Sequence, residues 1–529
     1  MRSESRGGRL MRRLLRARAA GTLAAALAAA AVSGCGDGTT ATTSGAGGDR
    51  TLTIATPGFP PSLDPATGAN EHGDYFNLAY DPLIVQAADG SFQPGLATSW
   101  RYGPRNESFA ITLRRGVRFS DGTPLDARAV KTWIEHAMRL PGGRGPTYLG
   151  SLESVDVTGP LALTLRFSSP TPLLELVFSQ VLEMGMIGSP RAVAAGTLAT
   201  KTDGAGPYML DPAKTVARDH YTYVRNPHYW NRAAQHWDEV VIKTISNPTA
   251  ALQALKTGQV QVAKDQPISN IAAAESAGLR YVDPLTLLMS LSLMDRDGRV
   301  AKPLADVRVR QAINHAIDRR AIAEALGSGH ARPTVQMAVP GDDSYDAALE
   351  QRYPYDLAKA RALLADAGYP DGFSLPVLSL AAVGQDQMAQ ALAGQLEKVG
   401  IELELDVKAT NDEYVKGLSS GRYPAATLSF GRVPAAIDYQ LLWGPDAALF
   451  NPFRATSPRL DALDARLDAA SGEQAPAIAR SMQAVTVDDA WYAPVFAAPL
   501  VVVHSDDVAG VVATPERSVV YTPEIKPTD

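Results

Sequence analysis

A chain of 529 residues with 45% hydrophobic and 20% charged content has material for a large core, and its length suggests two or three packing units. Its net charge of −6 becomes about −12 once residues 1–34 are set aside, because that stretch carries seven arginines and one glutamate. An acidic body excludes nucleic acid as the natural partner, and a single cysteine excludes disulfides, thiolate metal sites and thiol nucleophiles from it.

Residues 1–34 read as a secretory leader: a basic segment up to Arg18, then an uncharged Ala/Leu run from Ala19 to Val32. At ~1.5 Å per residue a bilayer needs roughly 20 apolar residues, so this run is short for a membrane span and is expected to be processed. Val32-Ser33-Gly34-Cys35 resembles a lipobox, where Cys35 would be lipidated and become the first residue of the mature chain. Cys35 lies between an alanine run and a Gly/Thr/Ser tract, where there is no core to bury a thiol. Residues 35–49 are accordingly expected to form a flexible tether. Met11 before Arg12-Arg13 is an alternative start, and the paired arginines leave the general and twin-arginine export routes both open.

The body opens with an alternating, strand-like run over 51–55, stopped by Thr56-Pro57-Gly58-Phe59-Pro60-Pro61. Strand-to-loop exits line ligand crevices in α/β folds, which makes Phe59 a ligand-contact candidate. Residues 109–113 alternate, Asp121-Gly122-Thr123-Pro124 turns, and 125–140 has helical spacing with Asp126 as N-cap. A hairpin about Gly159-Pro160 completes a small α+β unit. Strand 240–245 and helix 248–257, ended by Gly258, begin an αβ alternation. It resumes with helices over 309–326, 356–367 and 385–399, the last closed by Gly400 before strand 401–407. Residues 457–490 are helical in spacing, and 493–503 reads as strands returning to an earlier sheet.

Several stretches carry a family resemblance. They are Asp81-Pro82-Leu83, the run from Asp89 to Trp100, and Leu113-Arg114-Arg115-Gly116-Val117-Arg118-Phe119-Ser120-Asp121-Gly122-Thr123-Pro124-Leu125. In order there follow Gly204-Ala205-Gly206-Pro207-Tyr208, Arg225-Asn226-Pro227-His228-Tyr229-Trp230, the helix from Val307 to Arg319, and Tyr369-Pro370-Asp371-Gly372. Together they resemble the extracellular solute-binding proteins of the dipeptide, oligopeptide and nickel class, family 5, which serve ABC importers.

The resemblance implies an α/β, two-lobed periplasmic-binding-protein-like fold with an additional α+β subdomain in the first lobe. The expected divisions are a signal peptide over 1–34, a tether over 35–49, and a first lobe built from 50–80, 196–287 and a return over 487–529. The extra subdomain would occupy 81–195 and the second lobe 288–486. It implies a monomer that captures a short peptide or similar small polar solute as its lobes close, then delivers it to permease and ATPase subunits at the outer face of the membrane. No cofactor and no chemistry are implied. A metal or metal-chelate carrier, or a lipoprotein sensor on the same fold, are the alternatives.

The serine-hydrolase reading fails on spacing: Lys256-Thr257-Gly258 matches one element of serine β-lactamases, but no Ser-x-x-Lys accompanies it. Gly-x-Ser-x-Gly and phosphate-cradling loops are absent from the sequence too. Imidazole suits nickel, yet His220, His228 and His236 fall outside any helix that would set them on one face, so no metal ligand is assigned. The family's peptide binders hold the ligand's amino terminus with a second-lobe aspartate, and the resemblance sets the equivalent stretch at 429–439. Arg432 or Val433 falls near the expected place and Asp438 comes later. Asp438 could turn inward to pair an ammonium, or Arg432 could grip an anionic group, unless it pairs a nearby aspartate. Tyr439 and Trp443 would supply aromatic wall, and Gln266 and Met289 follow strand-like runs that read as crossings between lobes.

Overall fold

The computed structural model describes residues 50–528, apart from 68–71, 142, 382–383, 448, 471–473, 515–516 and 518. The leader, Cys35 and the tether lie outside the described residues.

The strand Thr51–Thr56 buries Leu52 and Ile54 completely and sits inside a seven-stranded sheet. It pairs in parallel with Glu239–Thr244 on one side and Val262–Gln266 on the other. The helix Pro248–Lys256 connects those two neighbours. Asn247 caps it by accepting from the Ala250 N–H, and Thr257 and Gly258, at φ +72°, end it. Lys256-Thr257-Gly258 is thus a helix terminus. The sheet extends antiparallel through His220–Arg225 and Tyr208–Leu210 at one edge, and through Val501–His504 and Arg280–Val282 at the other.

A second sheet runs in the order Arg332–Pro333, Tyr492–Pro499, Leu285–Leu293, Ala425–Gly431, Phe373–Leu380, Ile401–Lys408. Its strand Leu285–Leu293 is buried on both faces, one lined by Leu287, Met289, Leu291 and Leu293 and the other by Thr286, Leu288, Ser290 and Ser292. Met289, Leu291 and Leu293 pack with helices Val307–His315, Arg319–Gly327, Leu357–Asp366 and Gln385–Leu396. Leu288 faces a separate core with Trp443, Met482 and Tyr492.

A four-stranded antiparallel sheet, Ala97–Tyr102, Ser108–Leu113, Ala162–Phe167 and Leu152–Gly159, forms the additional α+β subdomain. Helix Ala127–Arg139 covers it, capped by Asp126 as expected, with Trp133 buried and donating its indole N–H to the Met184 carbonyl at 3.0 Å.

Three expected elements differ. The single helix over 309–326 is two helices, because Asp318 caps the second through the Ala321 N–H. There the Arg319 guanidinium also turns into the core to bond the Asn314, Thr334 and Pro494 carbonyls. The helical stretch 457–490 is likewise two helices, Pro458–Ala469 and Gln474–Asp488. Tyr492–Pro499 remains in the second sheet, so the return to the first begins at Leu500 rather than at 487. The Gly204-Ala205-Gly206 motif is a close backbone approach: a Cβ on Gly206 would lie 2.4 Å from the Ala79 carbonyl carbon, and Gly206 donates to that carbonyl at 2.9 Å.

Candidate ligand-binding cleft

The two large sheets are joined by two short crossings. One is Asp283–Pro284, between Arg280–Val282 and Leu285–Leu293, and the other is Leu500, between Tyr492–Pro499 and Val501–His504. They are stitched together where the Leu500 N–H donates to Thr286 Oγ1 at 3.0 Å. Next to them, His330 of the second lobe meets Asp283 at 2.8 Å.

Arg432, just beyond strand Ala425–Gly431, reaches the same place. Its backbone N–H donates to the Thr286 carbonyl at 3.1 Å, and Nη1 to the Leu285 carbonyl at 3.1 Å. Nε donates to Asp342 Oδ1 at 2.8 Å, and Nη2 bonds the same oxygen. The pair is secluded, with side-chain exposures of 5% for Arg432 and 12% for Asp342. Arg432 is therefore engaged by an aspartate at the hinge.

Pro434 starts a short helix, Ala435–Asp438, every residue of which is buried, and a π-helical turn Tyr439–Trp443 follows. Ile437 enters the hydrophobic core of the additional subdomain, with Val433 and Leu441 packed beside it. Asn106 of that subdomain donates from Nδ2 to the carbonyls of Asp468 and Ala470 at 3.0 and 3.2 Å. The first and second lobes are in contact through these groups, and a cavity of about 210 Å³ remains between them, lined by Tyr148, Ser151, Thr171, Ala436, Gln440 and Asp468 among others.

The junction is acidic. Asp438 is 3% exposed and its carboxyl accepts no hydrogen bond among the described residues. Burial pushes that carboxyl well above the usual range, and the like charges of Asp343 and Asp342 push it further. Asp343 is raised to about 6, by burial first and Asp342 second, although the Ala435 backbone bonds it. Helix Pro458–Ala469 adds Asp464, raised to about 8 by burial and then by Asp468 and Asp461, and Asp468, raised to about 6 by burial. The Tyr439 hydroxyl donates to Asp461 at 2.8 Å.

Of the residues expected at the site, the structure brings Arg432, Asp438 and Tyr439 to this junction. Trp443 is 1% exposed, packed in the second-lobe core, with its indole N–H buried and lacking a hydrogen-bond partner among the described residues. Gln266 ends its strand opposite Val501, beside the Leu500 crossing, where Asn270 Nδ2 donates to the Gln266 side-chain Oε1 at 3.0 Å. Met289 lies four residues inside its strand, paired with Ser429 and Phe496, and is a core residue rather than a crossing. Phe59 is half-buried against the first-lobe core with the Arg218 guanidinium 4.9 Å from its ring centre. Asp342 and Asp343 escaped sequence reasoning; the signal was there in Pro340-Gly341-Asp342-Asp343, a turn presenting two adjacent carboxylates. Among the described residues, no group of three or more His, Cys, Asp or Glu is placed to hold a metal ion, and no helix is long and apolar enough to cross a membrane.

Two large sheets joined by paired crossings, with a subdomain on one, define the two-lobed binding-protein architecture. The PBP AgaA in complex with agropinic acid, from A.tumefacien R10, superposes with a TM-score of 0.76 at 22% identity, over 90% of this chain and 99% of that one. The periplasmic binding protein DppA from Helicobacter pylori in complex with the peptide STSA gives 0.74 at 22% identity, over 90% and 98%. The sequence model of the bacterial extracellular solute-binding proteins, family 5 Middle, matches residues 91–444, and the chain belongs to that family. Glutathione-binding protein GsiB from Salmonella paratyphi A is 28% identical over 334 residues, 62% of this chain. That match spans 63% of GsiB, so the chain aligns with under two thirds of this relative's length.

Proposed function

We propose that this protein is the solute-capturing component of an ABC importer and that its cargo is a short peptide or similar small solute bearing an ammonium group. The observation that carries the reading is the excess of buried and half-buried carboxyls at the lobe junction: Arg432 answers Asp342, while the buried Asp438 and the half-buried Asp343 stand in surroundings that disfavour their charged forms. A cationic group supplied by the cargo neutralises them and touches both lobes, which stabilises closure. The names of relatives agree in kind: GsiB is named for glutathione, and the DppA structure holds a peptide. Partners on this reading are permease and ATPase subunits, and the protein acts as a monomer without a cofactor.

Calorimetry with di- and tripeptides tests the cargo. Peptides with a free amino terminus are expected to bind, and their amino-acetylated counterparts to bind about 100-fold more weakly, the loss of one buried charged contact. Equal affinity for both forms, or no binding by any peptide, would remove the reading.

Anchoring at the outer face of the membrane through lipidated Cys35 is part of the same proposal and rests on the lipobox-like Val32-Ser33-Gly34-Cys35. Two acyl chains suffice for stable retention where one is marginal. Membrane fractionation of a Cys35→Ala variant is expected to find it released or unprocessed; retention and processing identical to the parent would refute the anchor.

A further inference from the structure

The first lobe has a larger cavity of its own, about 440 Å³, well inside the roughly 300–1,000 Å³ of small-molecule sites. None of its lining residues comes from the second lobe, so lobe closure does not enclose it. Three of its walls are aromatic: Tyr229, Trp230 and Tyr521. Trp230 is 37% exposed, and its ring is fixed by the Arg114 guanidinium 4.0 Å from its centre. Asp81 also lines the cavity, 6% exposed, accepting from the Trp230 indole N–H at 2.8 Å and the Tyr229 hydroxyl at 3.3 Å. Asp81, Pro94, Gly95, Tyr229 and Trp230 all belong to the motifs that carry the sequence resemblance, and they converge here.

The geometry points to a second binding site, for a small organic ammonium ion held by the Asp81 carboxylate between the faces of Trp230, Tyr229 and Tyr521. Aromatic faces attract a cation through their quadrupoles, and a desolvated carboxylate supplies the formal charge. Both hydrogen-bond donors to Asp81 are neutral, and Arg114 stands against the indole. Burial consequently lifts the Asp81 carboxyl to about 7 despite both donors and Arg114. The other carboxylate on the lining, Glu524, is committed to Arg517 by two hydrogen bonds at 2.9 and 2.6 Å. Of the basic groups there, His236 is held toward its neutral form by burial and by Lys526, and Lys526 is exposed at the rim.

Choline and its uncharged carbon isostere, 3,3-dimethylbutan-1-ol, test the site on the whole protein, followed through the Trp230 indole ¹⁵N–¹H resonance assigned with Trp230→Phe. Choline is expected to shift that resonance saturably and the isostere to leave it in place. Ala234→Phe, which fills the cavity away from the Asp81 hydrogen bonds, is expected to abolish the response. Asp81→Asn keeps an acceptor for the indole and is expected to weaken choline at least about tenfold. An equal response to the isostere, no response to choline, or an undiminished response in Ala234→Phe would overturn the proposal. Asp438→Asn leaves the choline response unchanged, so failure of the peptide reading and failure of this one are separable.

Discussion

Replacing Arg432 with methionine is expected to lower the unfolding free energy by about 3–5 kcal/mol, the loss seen when one partner of a buried ion pair is removed. Arg432 makes bonds to Asp342 and the Leu285 carbonyl with a side chain 5% exposed, and without it Asp342 stays secluded beside Asp343 and Asp438. Urea denaturation at neutral pH measures the effect. Lysine is expected to restore little, because an ammonium cannot hold Asp342 and the Leu285 carbonyl in one rigid fork. The double variant Arg432→Met/Asp342→Leu is expected to recover most of the loss, since the uncompensated charge leaves with its partner. A loss under about 1 kcal/mol in the single variant would put the pair in the class of exposed ion pairs and overturn its structural role.

Asp438→Asn is expected to act in opposite directions on stability and on binding. Without cargo the variant is expected to be more stable at neutral pH by about 1–3 kcal/mol, the scale of an uncompensated buried polar group. With a free-amino peptide it is expected to lose affinity by about 100-fold. The pH dependence follows from direction alone. The carboxyl is raised in the folded protein above its unfolded value of roughly 3.9, so the folded state binds the proton more tightly. That contribution to stability is complete below about pH 4 and is lost as pH rises from there through the folded value. Asp343, raised to about 6, contributes in the same sense between roughly pH 4 and 6 and remains in the variant. Parent protein should therefore lose more stability than Asp438→Asn between acid and neutral pH. Peptide affinity should rise over the same window, with proton release on binding detectable by calorimetry in buffers of different ionisation heat. Parallel pH profiles for the two proteins, with equal affinities, would exclude Asp438 from the site.

Local signals were legible in the sequence because they act within a few residues. Asp126 and Asn247 each accept a hydrogen bond from the N–H three residues on, and Gly258 and Gly400 sit at positive φ where a helix gives way. Asp318 carried the same signal, but the apolar period of 309–326 runs through it and hid the break. What the sequence does not display is pairing at a distance. Alternation in Thr51–Thr56 says strand, yet nothing in it selects Glu239–Thr244 and Val262–Gln266 as neighbours. The same limit misplaced Met289: an apolar strand leaving a crossing looks like the crossing itself, which lies at Asp283–Pro284. At the site, the family pattern led to an acid expected near 432. The helix Ala435–Asp438 instead carries Asp438 inward, while Asp342 and Asp343 arrive from a loop some ninety residues earlier in the chain.

The placement of Thr51–Thr56 has a bearing on the order in which the molecule is made. Its sheet draws on strands as far along as Val501–His504, whereas the second sheet is assembled from one uninterrupted stretch, 285–499. Loop closure over hundreds of residues is entropically slow, and high contact order delays folding. The second lobe can therefore mature on contacts within 285–499, while the first lobe's sheet is complete only when Val501–His504, made after the whole second lobe, slots between Val262–Gln266 and Arg280–Val282.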